Sequence, residues 1–337
     1  MNSGAHRATL KFWLPLAAFF LVGIAVGSYF RPLPFHGSSS ACQLQPIRSG
    51  GYDLINPLLI CEVAGQQEFP EFSPLKATIT DFVAAHTDSQ TKVSVYFRAY
   101  GAGKWITINE NEMYIPASLL KVPLMVAFYK LAETNPQLLS EKIQYKGDFD
   151  FDDMQKYQPE KKLVKGKFYT VEDLIYRMIV YSDNNSANLL GNRMDNQSLR
   201  EIYSELGVQF PRDLPDNTPP LMSVKSYSLF FRILYNATYL SREMSEKALD
   251  LLTKADFPGG IEGSVPSDIK IAHKFGEAAE STSVKELHDC GIVYYTGHPY
   301  LLCVMAKGPL NADLEQVIRG ISKIIYDYMD RKYAYSI

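Results

Sequence analysis

The sequence predicts an α+β fold, with one antiparallel sheet drawn from both ends of the chain, helices packed on it, and a helical lobe from the middle. Three observations predict it. Period-2 alternation marks strands early and late in the chain. Helical periodicity dominates between them. An amphipathic helix follows the last strand. With 337 residues, 46% hydrophobic and 21% charged, the chain can bury a sizeable core.

Residues 12–29 (FWLPLAAFFLVGIAVGSY) carry no charge, and about 18 apolar residues is near the lower limit for crossing a bilayer. His6, Arg7 and Lys11 precede the run. The positive-inside rule therefore keeps the N-terminus cytoplasmic and sends the remainder outside, to the periplasm or the cell surface. Residues 1–30 read as a short tail and a membrane anchor. A cleaved signal peptide is the alternative, since Ala25 and Gly27 offer small residues at a cleavage-like spacing. Residues 31–51, rich in Pro, Ser and Gly, read as a tether. Residues 52–337 read as the folded domain.

Within that domain, residues 75–86 have helical periodicity. Residues 92–100 (KVSVYFRAY) alternate as a strand, 101–103 turn, and 104–109 return as a second strand. Residues 119–131 are hydrophobic almost all round, which marks a buried helix. Residues 140–169 are polar and irregular, and Thr170 opens a helix that runs to Tyr181. Residues 268–275 read as a strand. Residues 290–295 (CGIVYY) and 300–305 (YLLCVM) form a hairpin, and 311–328 the final helix.

The formal net charge is −3 with both signs interspersed. No basic block suits nucleic acid, and no acidic tail forms a solvating arm. No metal-ligand cluster or nucleotide-binding loop occurs, so no metal and no cofactor is expected, and the domain reads as a monomer. The four cysteines, Cys42, Cys61, Cys290 and Cys303, suit neither zinc nor a redox pair. Export permits disulfides, and three pairings are open. The reading favours a Cys42–Cys61 bridge, with Cys290 and Cys303 facing each other as reduced, buried thiols.

Three short motifs carry the chemistry. Ser118 and Lys121 stand in Ser118-Leu119-Leu120-Lys121, where the buried helix begins. Residues three apart on a helix share a face, so the lysine is expected to reach the serine hydroxyl. A lysine desolvated there loses basicity and can serve as a base. Such a spacing occurs by chance about once or twice in a chain this long, so alone it reads as a capped helix with a solvated lysine. Ser182-Asp183-Asn184 follows the helix ending at Tyr181. Ser182 can relay a proton, and Asn184 can bond a substrate amide and steady Lys121. Asp183 is placed to cap the next helix. His273-Lys274-Phe275-Gly276 ends a late strand. Lys274 can attract an anion, and Gly276 allows a ligand close to the backbone.

Together, in this order and spacing, the motifs resemble the Ser-x-x-Lys, Ser-Asp-Asn and Lys-Thr-Gly set of class A β-lactamases and penicillin-binding proteins. The likeness spans about residues 75–328 and includes the stretch from Tyr169-Thr170-Val171 through Asn188-Leu189-Leu190. It implies a β-lactamase/transpeptidase-like fold with Ser118 as nucleophile, Lys121 as base and Ser182 as proton relay. Lys274 would recognise a substrate carboxylate. The backbone N–H groups of Ser118 and Glu277 would form an oxyanion hole.

Two departures qualify the resemblance. Phe275 stands where the motif has a hydroxyl residue, which removes one contact to a carboxylate. The segment after Gly207 is short and holds no glutamate, so the family's deacylation base has no counterpart. Asp213 and Asp216 are the carboxylates there, and Glu277 is a further candidate at the cleft rim. The expected activity is therefore a serine hydrolase acylated by β-lactams with slow turnover. A cell-wall peptidase, transpeptidase or esterase is the second reading. A penicillin-binding module that stays acylated is the third.

Overall fold

A computed structural model describes residues 51–57, 69–101, 103–148, 150–154, 156–207, 220–279 and 281–334. The expected anchor and most of the tether, Cys42, Cys61, and the short loop with Asp213 and Asp216 lie outside these residues. Among the described residues no helix is long and apolar enough to cross a membrane.

The chain enters at residues 53–56, where Leu54 and Ile55 are buried. Their backbone N–H groups donate to the Glu246 carboxylate. Helix α1 (Ser73–His86) follows, then β1 (Lys92–Ala99) and β2 (Lys104–Ile108). After β3 (Met113–Tyr114), a 3-10 turn at Ala117–Leu120 leads into α2 (Lys121–Thr134). The expected buried helix thus starts its α-helical part at Lys121. Its buried residues cover almost the whole circumference, from Val122 to Ala132. Pro123 is tolerated because the first turn needs no intrahelical N–H bond.

The irregular polar stretch contains a small ladder between β4 (Lys142–Gln144) and β5 (Phe168–Thr170). Then come α3 (Val171–Val180), α4 (Asn184–Arg193) and α5 (Asn196–Glu205). Thr170 Oγ1 caps α3 by accepting from Asp173 N. Val171, Leu174, Ile175, Met178 and Ile179 form its buried stripe. Beyond the undescribed loop lie β6 (Met222–Ser223), α6 (Val224–Asn236) and α7 (Arg242–Leu252). The chain closes with β7 (Ile271–Ala279), β8 (Val284–Val293), β9 (Tyr300–Pro309) and α8 (Leu314–Tyr333).

The main sheet has five antiparallel strands in the order β2-β1-β9-β8-β7. Its middle strand, β9, shows why both faces are covered. Tyr300, Leu302, Val304 and Ala306 join a core with α1 and α8. Leu301, Cys303 and Met305 join the core of the helical lobe. A period-2 strand with apolar residues on both faces must be buried on both. Cys290 and Cys303 stand directly opposite on β8 and β9, and the structure joins them as a disulfide. This corrects the expectation of reduced thiols. Direct opposition across the ladder brings their Cα atoms to 3.9 Å, so the side chains share one small space.

Candidate active site

The turn before α2 presents Ser118. Ala117 there has φ 49°, in the left-handed region. A non-glycine residue in such a conformation costs about 1–3 kcal/mol and persists where its surroundings force it. Three contacts do so. Ile115 N donates to Glu286 Oε2 at 2.9 Å, and His288 Nε2 donates to Ile115 O at 3.0 Å, both from β8. Tyr227 Oη donates to Leu119 O at 3.0 Å. Gly276 of the edge strand β7 completes the seat. A Cβ there would lie 2.7 Å from Pro116 O and 3.1 Å from Leu119 N. On the side where a Cβ would stand, the close approach at Gly276 is to the Ser118 turn.

Lys121, one turn beyond Ser118, is buried. Its Nζ donates to Ser182 O at 2.6 Å, Ser182 Oγ at 3.2 Å and Asn184 Oδ1 at 2.6 Å. Lys121 N donates to Ser118 O in the turn, but among the described residues no hydrogen bond joins Lys121 Nζ to Ser118 Oγ. The lysine shares the serine's side of the helix but is turned to the Ser182 loop, which departs from the expected direct reach. Burial lowers its pKa to about 7, against the opposing charges of Asp183, Asp152 and Glu277.

Ser182 is also in the left-handed region, with φ 53°. Its Oγ accepts from a second lysine, Lys274 Nζ, at 2.9 Å. Lys274 is fully buried. Burial pushes its pKa well below the ordinary value, and the Lys121 charge adds to this. Its Nζ also donates to Phe275 O and lies 4.1 Å from the centroid of the Phe275 ring. Asp183 caps α4 as expected, with Oδ1 accepting from Ser186 N. Burial raises its pKa to about 6.

The segment around Asp152 supports this loop. Asp152 has no exposed surface. It accepts from Asn184 N and Asn185 Nδ2, both at 2.7 Å. Asn185 Oδ1 in turn accepts from Phe151 N, and Asn184 Nδ2 donates to Phe151 O. Farther along, Lys156 N and Tyr157 N donate to Glu277 Oε1 at 2.7 and 3.1 Å. A cavity of 460 Å³ opens over the turn, and Ser118, Lys121, Ser182, Asn184, Phe275 and Glu277 are in its lining. Lys274 and Gly276 stand behind that wall. Among the described residues no cluster of side chains could hold a metal ion.

The family whose pattern is described as the Beta-lactamase enzyme family matches residues 74–329. The chain belongs to this family. Solved structures share its fold. PBP-A, of which a mutant was solved as an acyl-enzyme complex with penicillin-G, is 20% identical with a TM-score of 0.65, over 77% of this chain and 97% of that one. A beta-lactamase from Chitinophaga pinensis is 19% identical with a TM-score of 0.65, over 76% of this chain and 100% of that one. A class A beta-lactamase from Mycobacterium abscessus is 19% identical with a TM-score of 0.65, over 76% and 99% respectively. The fold is thus β-lactamase/transpeptidase-like.

In this member of the beta-lactamase family the structure adds residues that sequence reasoning passed over. Asp152 sits in the acidic run Asp150-Phe151-Asp152-Asp153, which reads as solvated polar loop. The signal that could have found it is Asn185. A second asparagine after the Ser-Asp-Asn triplet needs a buried partner once α4 is folded. Tyr157 and Phe257 were missed for a different reason. Phe275 stacks on Phe257 at 4.2 Å between ring centroids, and Tyr157 meets Phe275 edge-on at 5.5 Å. These rings lie far apart in sequence.

Proposed function

We propose that this protein is a membrane-anchored, extracytoplasmic serine hydrolase, acylated at Ser118 by β-lactams and releasing the product slowly. The observation that carries the reading is the buried Lys121–Ser182–Lys274 chain in the wall of the cavity that Ser118 also lines. A lysine with a pKa of about 7 is half neutral near pH 7, so it can accept a proton. Ser118 Oγ forms a bond to the carbonyl carbon as its proton passes to neutral Lys121. The N–H groups of Ser118 and Glu277 stabilise the oxyanion. The carbon–nitrogen bond then breaks as Ser182 gives its proton to the leaving nitrogen, and Lys121 restores that proton to Ser182. Water later cleaves the Ser118 ester and returns the hydroxyl.

The roles of Asn184, which holds Lys121 and faces the cavity, and of Lys274, which holds Ser182, follow from their contacts. Labelling with a fluorescent penicillin tests the reading. The wild type takes the label and Ser118→Ala does not; equal labelling of both refutes it. Retention of the full chain in alkali-washed membranes checks the anchor, and a soluble form starting near Ser28 would show a cleaved leader instead. A second reading, an esterase or a peptidase acting on cell-wall peptide, is favoured by one observation, the phenylalanine at position 275.

A further inference from the structure

We infer that the Ser118 cavity is specialised for acyl donors that carry no carboxylate beside the reacting bond. This rests on acylation of Ser118 as proposed above and narrows its substrate class.

Phe275 lines the same cavity as Ser118. Its ring is not a mobile cover. It stacks on Phe257 at 4.2 Å with 16° between planes, and Tyr157 packs edge-on against both rings. Lys274 Nζ lies 4.1 Å from the ring centroid on a side chain with no exposed surface. Its donors go to Ser182 Oγ and Phe275 O. The strand that could offer a cation and a hydroxyl to an anion instead sets a nearly buried aromatic ring in the cavity wall, stacked on Phe257 and with Lys274 Nζ over it.

The remaining lining does not restore an anion site. Glu277, Glu286, Asp313 and Glu315 bring four carboxylates to it. Of the lysines, Lys121 is engaged by Ser182 and Asn184, and Lys156 is paired with Glu315. Lys285 is the third. A carboxylate brought to the wall at Phe275 would lose water without gaining a donor, and like charges on the rim would oppose it. An uncharged ester or lactam loses nothing there, and its apolar substituent gains contact with the rings. In the covalent step Ser118 Oγ bonds to the acyl carbon. The bond to the leaving oxygen or nitrogen breaks, and that atom departs with the proton passed on through Ser182.

The test compares penicillin G with its methyl ester on the full-length protein. The rate of Ser118 acylation is followed by intact-protein mass spectrometry, with Ser118→Ala as the blank. The ester is expected to acylate the wild type at least about tenfold faster, the factor that one missing hydrogen bond to a charged group represents. Phe275→Thr is expected to narrow or reverse the ratio, and Lys285→Ala to leave it unchanged. The proposal is overturned by an acid that reacts as fast as the ester, by a folded Phe275→Thr variant that keeps the wild-type ratio, or by a preference for the ester that grows on Lys285→Ala. If Phe275→Thr does not fold, the wild-type ratio decides. Labelling of Ser118 by neither form overturns the acyl-enzyme reading and this inference with it. Preference for the acid overturns this inference alone.

Discussion

Burial of Lys121 between Ser182 and Asn184 brings its pKa to about 7, so its protonation state changes within the range where a hydrolase works. In the proposed mechanism, acylation needs the neutral amine. The rate is expected to rise about tenfold per pH unit below 7 and to level off above it. A flat profile between pH 5 and 9 would exclude Lys121 as the base. Lys121→Ala is expected to fold and to lose about 10²–10⁴ in acylation rate. The same shift affects stability. The folded pKa lies below the unfolded one, so the unfolded chain binds more protons between about pH 7 and 10.5. This group's contribution to stability therefore rises with pH across that window. Lysine and serine at this spacing were legible in the sequence. The direction of the ammonium was not, because it depends on a loop 61 residues away.

The turn Ala117–Leu120 and the edge strand β7 form one unit, held together at Gly276. A methyl group at that position meets a carbonyl oxygen at 2.7 Å, so the turn must shift. Gly276→Ala is expected to slow penicillin acylation by about 10²-fold, as displacement of a reacting group by about 1 Å does. The melting temperature should change far less. Acylation at the wild-type rate would show that the turn is free of the strand. Element types were largely legible. Alternation in residues 92–100 and 300–305 marked β1 and β9, and the Ser-Asp-Asn triplet marked the start of α4. The 3-10 turn was not. Left-handed φ at an alanine has no local signature and is imposed by Glu286, His288 and Gly276.

At the scale of the whole molecule, the proposed acyl-enzyme needs a group that would release it. Among the described residues the carboxylates at the cavity have other tasks. Glu277 accepts from Lys156 N and Tyr157 N, Glu286 from Ile115 N, and Asp313 caps α8 through Gln316 N. Glu315 accepts from Tyr157 Oη. A base for deacylation must hold a water within about 3 Å of itself. Mixing the protein with penicillin is therefore expected to give a burst near one equivalent, then slow turnover with the acyl-enzyme as the dominant species. Rapid steady hydrolysis with no detectable adduct would contradict this. Loss of such hydrolysis in Asp216→Asn, with acylation intact, would assign the base to that aspartate.

The sequence by itself determined the α+β class, the terminal strands of the main sheet with a helical middle, and the three motifs with Ser118, Lys121, Ser182 and Lys274. These follow from periodicities of 2 and 3.6 and from short spacings, which are local properties of the chain. The tertiary structure decided what those residues touch. It pairs Cys290 with Cys303 by strand register and seals Lys274 behind Phe275. It also sets Asp152 under Asn184 and seats the Ser118 turn on Gly276. Each of these joins groups distant in sequence, or fixes a side-chain direction. Contacts of that kind exist only once the sheet and the helical lobe have packed, because packing, not local propensity, selects among the rotamers and registers open to the chain.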